Sequence, residues 1–382
     1  MQKPYTLIIP SWYPTGSQPL NGIFIEKHVE AISGFENVIV MYITGADSEH
    51  TEEVKVSESY TKSIFYYKES SSRLLNQFKY IITQKKAYEY LIEKYGMPEL
   101  LHLHVIFPAG IFIYLLLLFR HLPLIITEHW TGYTDEDGRY MRLPSVVRYM
   151  TRVLLKKAKK VSVVSEYFKQ VLLEKKLIDS DRLLTVYNIL NIPTSVYHHS
   201  EAKMMKALYV GNLIDEQKNI SMLIQAVEIV VQRYPDFRLT MVGGGAETDR
   251  FKSMAEEMGL LEKNVFFAGY VPNSRLMPIY QDHGFFVLPS NFETFNIAAA
   301  EAMLSGLPVV STHCGGPTEF VNEKTGIWIK KNTAIDTAEA IMEMIDRRSD
   351  FDSSIIAHET QHKFGLNTIL NQLKSLYLFA KQ

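Results

Sequence analysis

Residues 285–311 constrain the fold more than any other stretch. An apolar run, Phe285-Phe286-Val287-Leu288, stops at Pro289-Ser290, as a buried strand does where it delivers the chain to a loop. From Phe295 to Leu304 the residues are good helix formers, and Asn296 is placed to cap a helix that Gly306 and Pro308 close. A second buried strand, Val309-Val310-Ser311, follows. Strand, loop, helix and strand in this order put the loop at the carboxyl edge of a sheet, where the next helix presents unpaired backbone N–H groups to an anion. Glu293 lies in that loop and Glu301 about two helical turns further on, so both carboxylates can face one cleft.

Two carboxylates on one helix edge approach a ligand from the same side, which disfavours the opposed acid and base of a glycosidase. They suit hydrogen bonds from sugar hydroxyls, with a diphosphate held between them and the helix N-terminus. On spacing alone, a solvated Glu in a loop and another on a helix face are the plainer account. The run E-T-F-N-I-A-A-A-E-A-M-L-S-G-L-P-V-V resembles the E-x7-E signature of retaining glycosyltransferases of family 4, including the E-A-M and G-x-P-V-V that follow. The resemblance implies that Glu293 contacts donor-sugar hydroxyls and Glu301 the nucleotide ribose. The backbone amides after Glu293, at Thr294, Phe295, Asn296 and Ile297, would hold phosphate.

At 382 residues the chain is long enough for two domains, each burying its own core. Apolar residues make up 47% and charged residues 21%, which excludes a disordered chain. A formal net charge of −2 gives no global argument for nucleic acid, and none is expected as a partner. The single cysteine, Cys314, cannot form an internal disulfide, so a reducing cytoplasmic home is expected. Beside Gly315-Gly316 it reads as a small packed residue rather than a nucleophile. The start, MQKPYTLIIPSWYP, has its short apolar core broken by Pro10 and Pro14 and does not read as a secretion signal. The apolar run Val105–Phe119 contains Pro108 and falls short of the roughly 20 residues a spanning helix needs.

Along the chain, strands are expected at 5–9, 38–42, 100–103 and 124–127, with helices at 24–33 and 74–95 between them, which implies a parallel, doubly wound sheet. Asn21-Gly22, ending the loop before the first helix, would let backbone N–H groups come close to an anion, although a plain turn also accounts for one glycine. His102 and His104 share one face of a strand; with no third ligand near in sequence, packing is the expected role and no metal site is expected. His129 follows a strand where it should open onto the cleft. Here too the segments resemble the family: SWYPTGSQPLNGIFIEKHV its amino-terminal loop, and T-E-H-W its T-x-H segment. That resemblance assigns Gly22 to the donor phosphates and His129 to the side of the donor sugar. Val161–Ser165 and Val186-Tyr187-Asn188 resemble two later strands, while Asn188-Ile189-Leu190-Asn191 departs from the family's Asn-Gly-Val-Asp.

From Arg139 to Lys160 there are eight basic residues and no acidic ones. Arg148, Arg152, Lys156 and Lys159 form a stripe at helical spacing, which suits either an anionic membrane surface or a docked helix with a solvated face. Polar residues around 193–203 mark a domain boundary. In the second half, Gly211-Asn212-Leu213 follows the first strand and Lys218-Asn219 is expected at the start of the next helix; they stand where the family has G-R-L and Lys-Gly, which gives Lys218 the diphosphate and puts Asn212 in place of an arginine. Gly243-Gly244-Gly245 reads as a tight turn, since no acidic residue follows in the next strand to hold a ribose. Gly269-Tyr270-Val271-Pro272 resembles the loop that packs on the nucleotide base, and Gly315–Glu319 the glycine turn after the signature, with Glu319 a weaker site residue.

The resemblance therefore implies a GT-B fold: α/β, with two Rossmann-like doubly wound domains facing a central cleft. The expected domains are 1–194 for the acceptor and 203–365 for the nucleotide-sugar, with a helix at 366–382 returning to the first. Function is expected to be that of a retaining glycosyltransferase (a hexosyl- or related transferase) moving sugar from a nucleotide-diphosphate sugar to a glycan, lipid-linked or small-molecule acceptor, in surface polysaccharide or glycoconjugate synthesis. Glu293, His129 and Lys218 carry the chemistry; Gly22, Asn212, Lys218, Tyr270, Val271, Thr294, Phe295, Asn296, Ile297 and Glu301 bind the donor. Neither cofactor nor metal is expected, because Lys218 and helix amides can take the leaving charge. The site is expected in the cytoplasm, peripheral on the inner face of the membrane if the basic stripe docks there. Two other classes stay open: a non-catalytic scaffold of the same fold, with Asn212 in its favour, and a nucleotide-sugar epimerase.

Overall fold

The computed structural model describes residues 3–190 and 203–381. The polar boundary at 193–203 and Asn191 therefore lie almost wholly outside the described residues. The chain divides into two compact units, one of Met1–Tyr133, Gly138–Asn188 and Ile369–Gln382, the other of Thr134–Asp137 and Ile189–Thr368.

The first unit is built on an eight-stranded sheet: β1 (Thr6–Pro10), β2 (Val38–Ala46), β3 (His50–Ser57), β4 (Tyr60–Lys68), β5 (Leu100–His104), β6 (Leu124–Glu128), β7 (Lys160–Val163) and β8 (Leu183–Thr185). Their order is β3-β4-β2-β1-β5-β6-β7-β8, with every pairing parallel except β3 against β4. The central strands β1, β5 and β6 are buried along their whole length, His102, His104 and Glu128 included, as strands covered on both faces are. The β3–β4 hairpin is absent from the sequence reading because β3, His-Thr-Glu-Glu-Val-Lys-Val-Ser, is an exposed, charged edge strand without an apolar face. Val186–Asn188, expected as a strand, lies just past the end of β8, and only Val186 continues its pairing, to the Val163 carbonyl.

Helices α1 (Ile23–Ser33), α2 (Arg73–Tyr95), α3 (Gly110–Phe119), α4 (Arg139–Arg142), α5 (Ser145–Lys157) and α6 (Glu166–Glu174) accompany this sheet. In α1 the buried positions are Ile25, His28, Val29 and Ile32, the spacing of one core-facing stripe, with a histidine at a core position. Helix α5 buries Thr151, Leu154 and Leu155 and ends at Lys157, so Lys159, expected on the basic stripe, is off the helix. The stripe is Arg148, Arg152 and Lys156.

The second unit carries a six-stranded parallel sheet of β9 (Lys206–Val210), β10 (Arg238–Val242), β11 (Val265–Gly269), β12 (Phe285–Leu288), β13 (Val309–Ser311) and β14 (Gly326–Trp328), in the order β11-β10-β9-β12-β13-β14. Its helices are α7 (Asp215–Lys218), α8 (Ile220–Arg233), α9 (Thr248–Glu257), α10 (Leu276–Gln281), α11 (Ile297–Leu304), α12 (Ala334–Arg347) and α13 (Ser353–Phe364). The strand order reverses direction between β9 and β12, so the loops leaving these two strands lie side by side at a topological switch point. In the first unit the same reversal falls between β1 and β5.

The last helix, α14 (Leu366–Lys381), belongs to the first unit from Ile369 onward. Tyr377 bonds His102 Nδ1 through its hydroxyl at 2.8 Å and meets Phe35 edge-on, and Lys381 pairs with Glu36 at 2.8 Å.

Candidate functional site

At the switch point of the second unit, β12 hands the chain to Glu293, and the backbone there is clamped on both sides. Glu293 N donates to the Cys314 carbonyl at 2.6 Å, and Gly316 N donates to the Glu293 carbonyl at 3.0 Å. A Cβ on Gly316 would stand 2.4 Å from the Thr294 carbonyl oxygen, so this approach requires glycine. The Gly315-Gly316 turn thus fixes Glu293 as well as following it.

The Glu293 side chain is buried, and its Oε1 accepts from three donors: Lys218 Nζ in a close ion pair, Ser290 Oγ at 2.8 Å and Asn296 Nδ2 at 3.0 Å. The side chains of Lys218 and Glu293 are only 13% and 7% exposed, which makes this an interior pair, of the kind whose disruption costs about 3–5 kcal/mol. Lys218 ends the one-turn helix α7 rather than starting α8, as expected from sequence. Asn219, with φ of 54°, turns the chain between the two, and Asp215 fixes the turn by accepting from Ser221 N and Oγ.

Asn296 does two jobs. Its Oδ1 caps α11 by accepting from Ala299 N at 2.9 Å, while its Nδ2 reaches Glu293. The residue holds a φ of 74°, an uncommon conformation for a side chain other than glycine and of the kind that gathers at ligand sites. The first N–H groups of a helix have no acceptor within it, and α11 therefore offers an electropositive end beside the Lys218–Glu293 pair. Thr294 and Ile297 flank it half-buried, and Phe295 turns its ring inward against Phe320 and Phe364.

Glu301 is also buried, with Oε2 accepting from the Tyr280 hydroxyl at 3.2 Å. Neither glutamate is the solvated surface residue that spacing alone favoured. Tyr280, on α10, and Ser290 escaped the sequence reading, the first because nothing near it marks a site. Tyr270 is exposed and Val271 half-buried in the loop after β11. The Asn212 side chain is exposed, and its carbonyl accepts from Tyr209 at 2.8 Å. Glu319 is engaged by Lys363, which donates to its carbonyl at 2.7 Å and lies 3.9 Å from its carboxylate. Burial pushes the Cys314 thiol up to about 12, which suits a packed residue and not a nucleophile.

In the first unit Gly22 starts α1 with a φ of 69°, and a Cβ there would lie 2.4 Å from the Trp12 carbonyl oxygen. His129 follows β6, buried, with its ring 4.8 Å from that of Phe24. The preceding Glu128, unremarked in the sequence, is wholly buried. Its carboxylate accepts from Ile106 N at 2.7 Å, His129 N at 3.2 Å and the Tyr133 hydroxyl at 3.3 Å, while burial raises the group to about 7. These bonds hold the chain as it leaves β6. The sequence offered no third imidazole near His102 and His104, but the fold supplies two, bringing His28 from α1 and His129 to His104. Among the described residues this is the one group of three or more His, Cys, Asp or Glu placed to hold a metal ion. Asp-x-Asp strings occur at Asp135/Asp137, Asp179/Asp181 and Asp350/Asp352; Asp179 pairs with Arg182, Asp350 with Arg347, and Asp352 caps α13.

On the outside of the same unit, Phe119 is 84% exposed at the end of α3, and Val146 and Tyr149 are 63% and 60% exposed on α5, which packs on α3. Among the described residues no helix is long and apolar enough to cross a membrane.

Comparison with known proteins bears on both units. Residues 34–192 match the model described as Glycosyltransferase Family 4, and residues 198–368 the one described as Glycosyl transferases group 1. A D-inositol 3-phosphate glycosyltransferase of Corynebacterium aurimucosum is 31% identical over 182 residues, 45% of this chain, and the chain spans only 42% of that relative's length. Sucrose-phosphate synthase of Thermosynechococcus elongatus has the same fold, with a TM-score of 0.76, 19% identity, and coverage of 99% of this chain and 100% of that one. A protein of Anabaena solved with UDP and glucose matches with a TM-score of 0.73 at 16% identity, covering 98% of this chain and 100% of that one. With two parallel-sheet α/β units and a family model on each, the chain belongs to the family 4 glycosyltransferases of GT-B fold.

Proposed function

We propose that the chain transfers a sugar, with net retention at the anomeric carbon, from a nucleoside-diphosphate sugar to a glycan, lipid-linked or small-molecule acceptor in surface polysaccharide or glycoconjugate synthesis. The observation that carries this is the Lys218–Glu293 pair beside the N-terminus of α11. As the bond between the anomeric carbon and the diphosphate oxygen breaks, negative charge grows on the leaving diphosphate. An ammonium and a helix N-terminus oppose that charge without a metal ion. Glu293 then serves the sugar hydroxyls and Glu301 the ribose, His129 stands beside the donor sugar, and Gly22, Asn212, Tyr270 and Val271 are further donor contacts. The Anabaena relative was solved with UDP and glucose, so uridine donors are the first to test. Thermal stabilisation should be measured against a panel of nucleoside diphosphates and their sugars, in the wild type and in Lys218→Ala. Stabilisation by one base, weakened in the variant, is the expected result; no response to any of them would overturn the donor reading.

A membrane partner on the cytoplasmic side rests on a separate observation, the exposed Phe119, Val146 and Tyr149 beside Arg142, Arg152, Lys156 and Lys157. Apolar side chains within a basic surface suit an anionic bilayer, each charge adding on the order of 1 kcal/mol. Sedimentation with vesicles should rise with anionic lipid and fall with salt. If charge reversal at Arg148, Arg152 and Lys156 changes nothing, the surface is only solvated.

A further inference from the structure

The imidazoles of the first unit form a second constellation, of which donor chemistry uses only His129. His28 and His104 are completely buried, and His129 nearly so. His28 Nε2 stands 3.1 Å from the Tyr187 carbonyl oxygen, which can only accept, so Nε2 carries the proton and Nδ1 keeps its lone pair. That Nδ1 and His104 Nε2 are buried without a hydrogen-bond partner. Orphan buried nitrogens are rare, and the lone pair on His28 Nδ1 calls for an occupant; His104 Nε2 is the nitrogen that carries the proton when that ring ligates through Nδ1. His102, by contrast, is satisfied at both nitrogens, by Tyr377 and Thr127 at 2.8 Å each, and its ring packs tilted against that of His104 with centroids 4.1 Å apart.

One nitrogen from each of His28, His104 and His129 lies within 4.8 Å of the other two. Ligands 2.0–2.1 Å from a tetrahedral zinc ion stand about 3.4 Å apart. His104 Nδ1 and His129 Nε2 are already 3.4 Å apart, the spacing of two such ligands, and His28 supplies a third nitrogen within 4.8 Å. A histidine ligand whose other N–H is held by a backbone carbonyl, as His28 is by Tyr187, is the usual support of a metal site.

We propose that His28, His104 and His129 bind a zinc-class divalent ion, and that filling this site withdraws His129 from the donor sugar. The second half rests on the donor role proposed for His129; the first does not. The site would make zinc an inhibitor of a transferase that needs no metal for its chemistry.

The test uses the full chain, stripped with EDTA and titrated with cobalt(II) and then zinc. The expected result is the visible spectrum of tetrahedral cobalt at one ion per chain, displaced by zinc. His28→Gln, which keeps a donor for the Tyr187 carbonyl, should weaken zinc binding by roughly 100-fold, at least the scale of losing an outer-shell partner. Its metal-free turnover should stay as in the wild type. Should that variant not fold, His104→Asn takes its place, and the wild-type spectrum decides in either case. Zinc should lower wild-type turnover by roughly tenfold or more, since a positioned histidine is seldom worth less, and EDTA should restore it. Absent cobalt bands, or zinc affinity unchanged in His28→Gln, would mean the cluster holds only water, and the metal site falls. Tetrahedral cobalt with turnover untouched by zinc would overturn the withdrawal of His129. A separate loss of turnover in metal-free His129→Ala then tells whether the donor reading itself survives.

Discussion

Each unit has one topological switch point, between β9 and β12 in the second and between β1 and β5 in the first, and the two are furnished in opposite ways. The second holds charge that is already matched: Lys218 lies on Glu293, and Ser290 and Asn296 complete the carboxylate's bonds. The first holds neutral imidazoles, two of them with unpartnered nitrogens. A preformed ion pair beside a helix N-terminus is electrostatics arranged before the ligand arrives, costing no reorganisation during reaction. Uncharged rings supply little field of their own, and the open nitrogen of His28 awaits a ligand. The same sheet geometry therefore presents a site for charge in one unit and a site of lone-pair donors in the other.

The largest effect should come from breaking the matched charge. Lys218→Ala should lower turnover by about 2.7–4 kcal/mol, the loss seen when an oxyanion donor is removed. It should also destabilise the fold by about 3–5 kcal/mol, because Glu293 is left buried and unpaired. Pairing Lys218→Met with Glu293→Gln separates the two: melting should recover while turnover does not. Recovery of turnover as well would reduce the pair to a structural device. Glu293→Gln alone should fall between the wild type and Lys218→Ala in turnover, read from steady-state rates at saturating donor.

Next in size is Glu301→Gln. Its contacts with ribose hydroxyls should be alike in ground and transition states, so the donor KM should rise by roughly tenfold, the weight of a hydrogen bond to a charged group, while kcat holds. A fall in kcat with KM unchanged would move Glu301 into the chemistry. The smallest effect is a null one: EDTA should leave turnover undiminished. Lost activity restored by manganese would contradict the role given to Lys218.

What could be read from the sequence follows from how far apart the parts lie. The cap at Asn296, the helix it starts and the strands around it are contiguous from Phe285 to Ser311, and each was visible as local pattern. The Lys218–Glu293 pair was not, because its partners are 75 positions apart and meet only when β9 and β12 become neighbours. His28, His104 and His129 come from a helix and the ends of two strands, and no spacing rule joins them. Helix α7 is too short to leave a period, which is why Lys218 was expected on the following helix. The β3–β4 hairpin was missed for the opposite reason: β3 has many polar residues and no buried face to declare it.

The central claim is that sugar moves from donor to acceptor with its anomeric configuration kept. Once the donor screen has named a nucleoside-diphosphate sugar, the product formed in the first turnovers should be examined by proton NMR, and the coupling constant of its anomeric proton compared with that of the donor. The same configuration in both is the expected result; an inverted product would contradict the account.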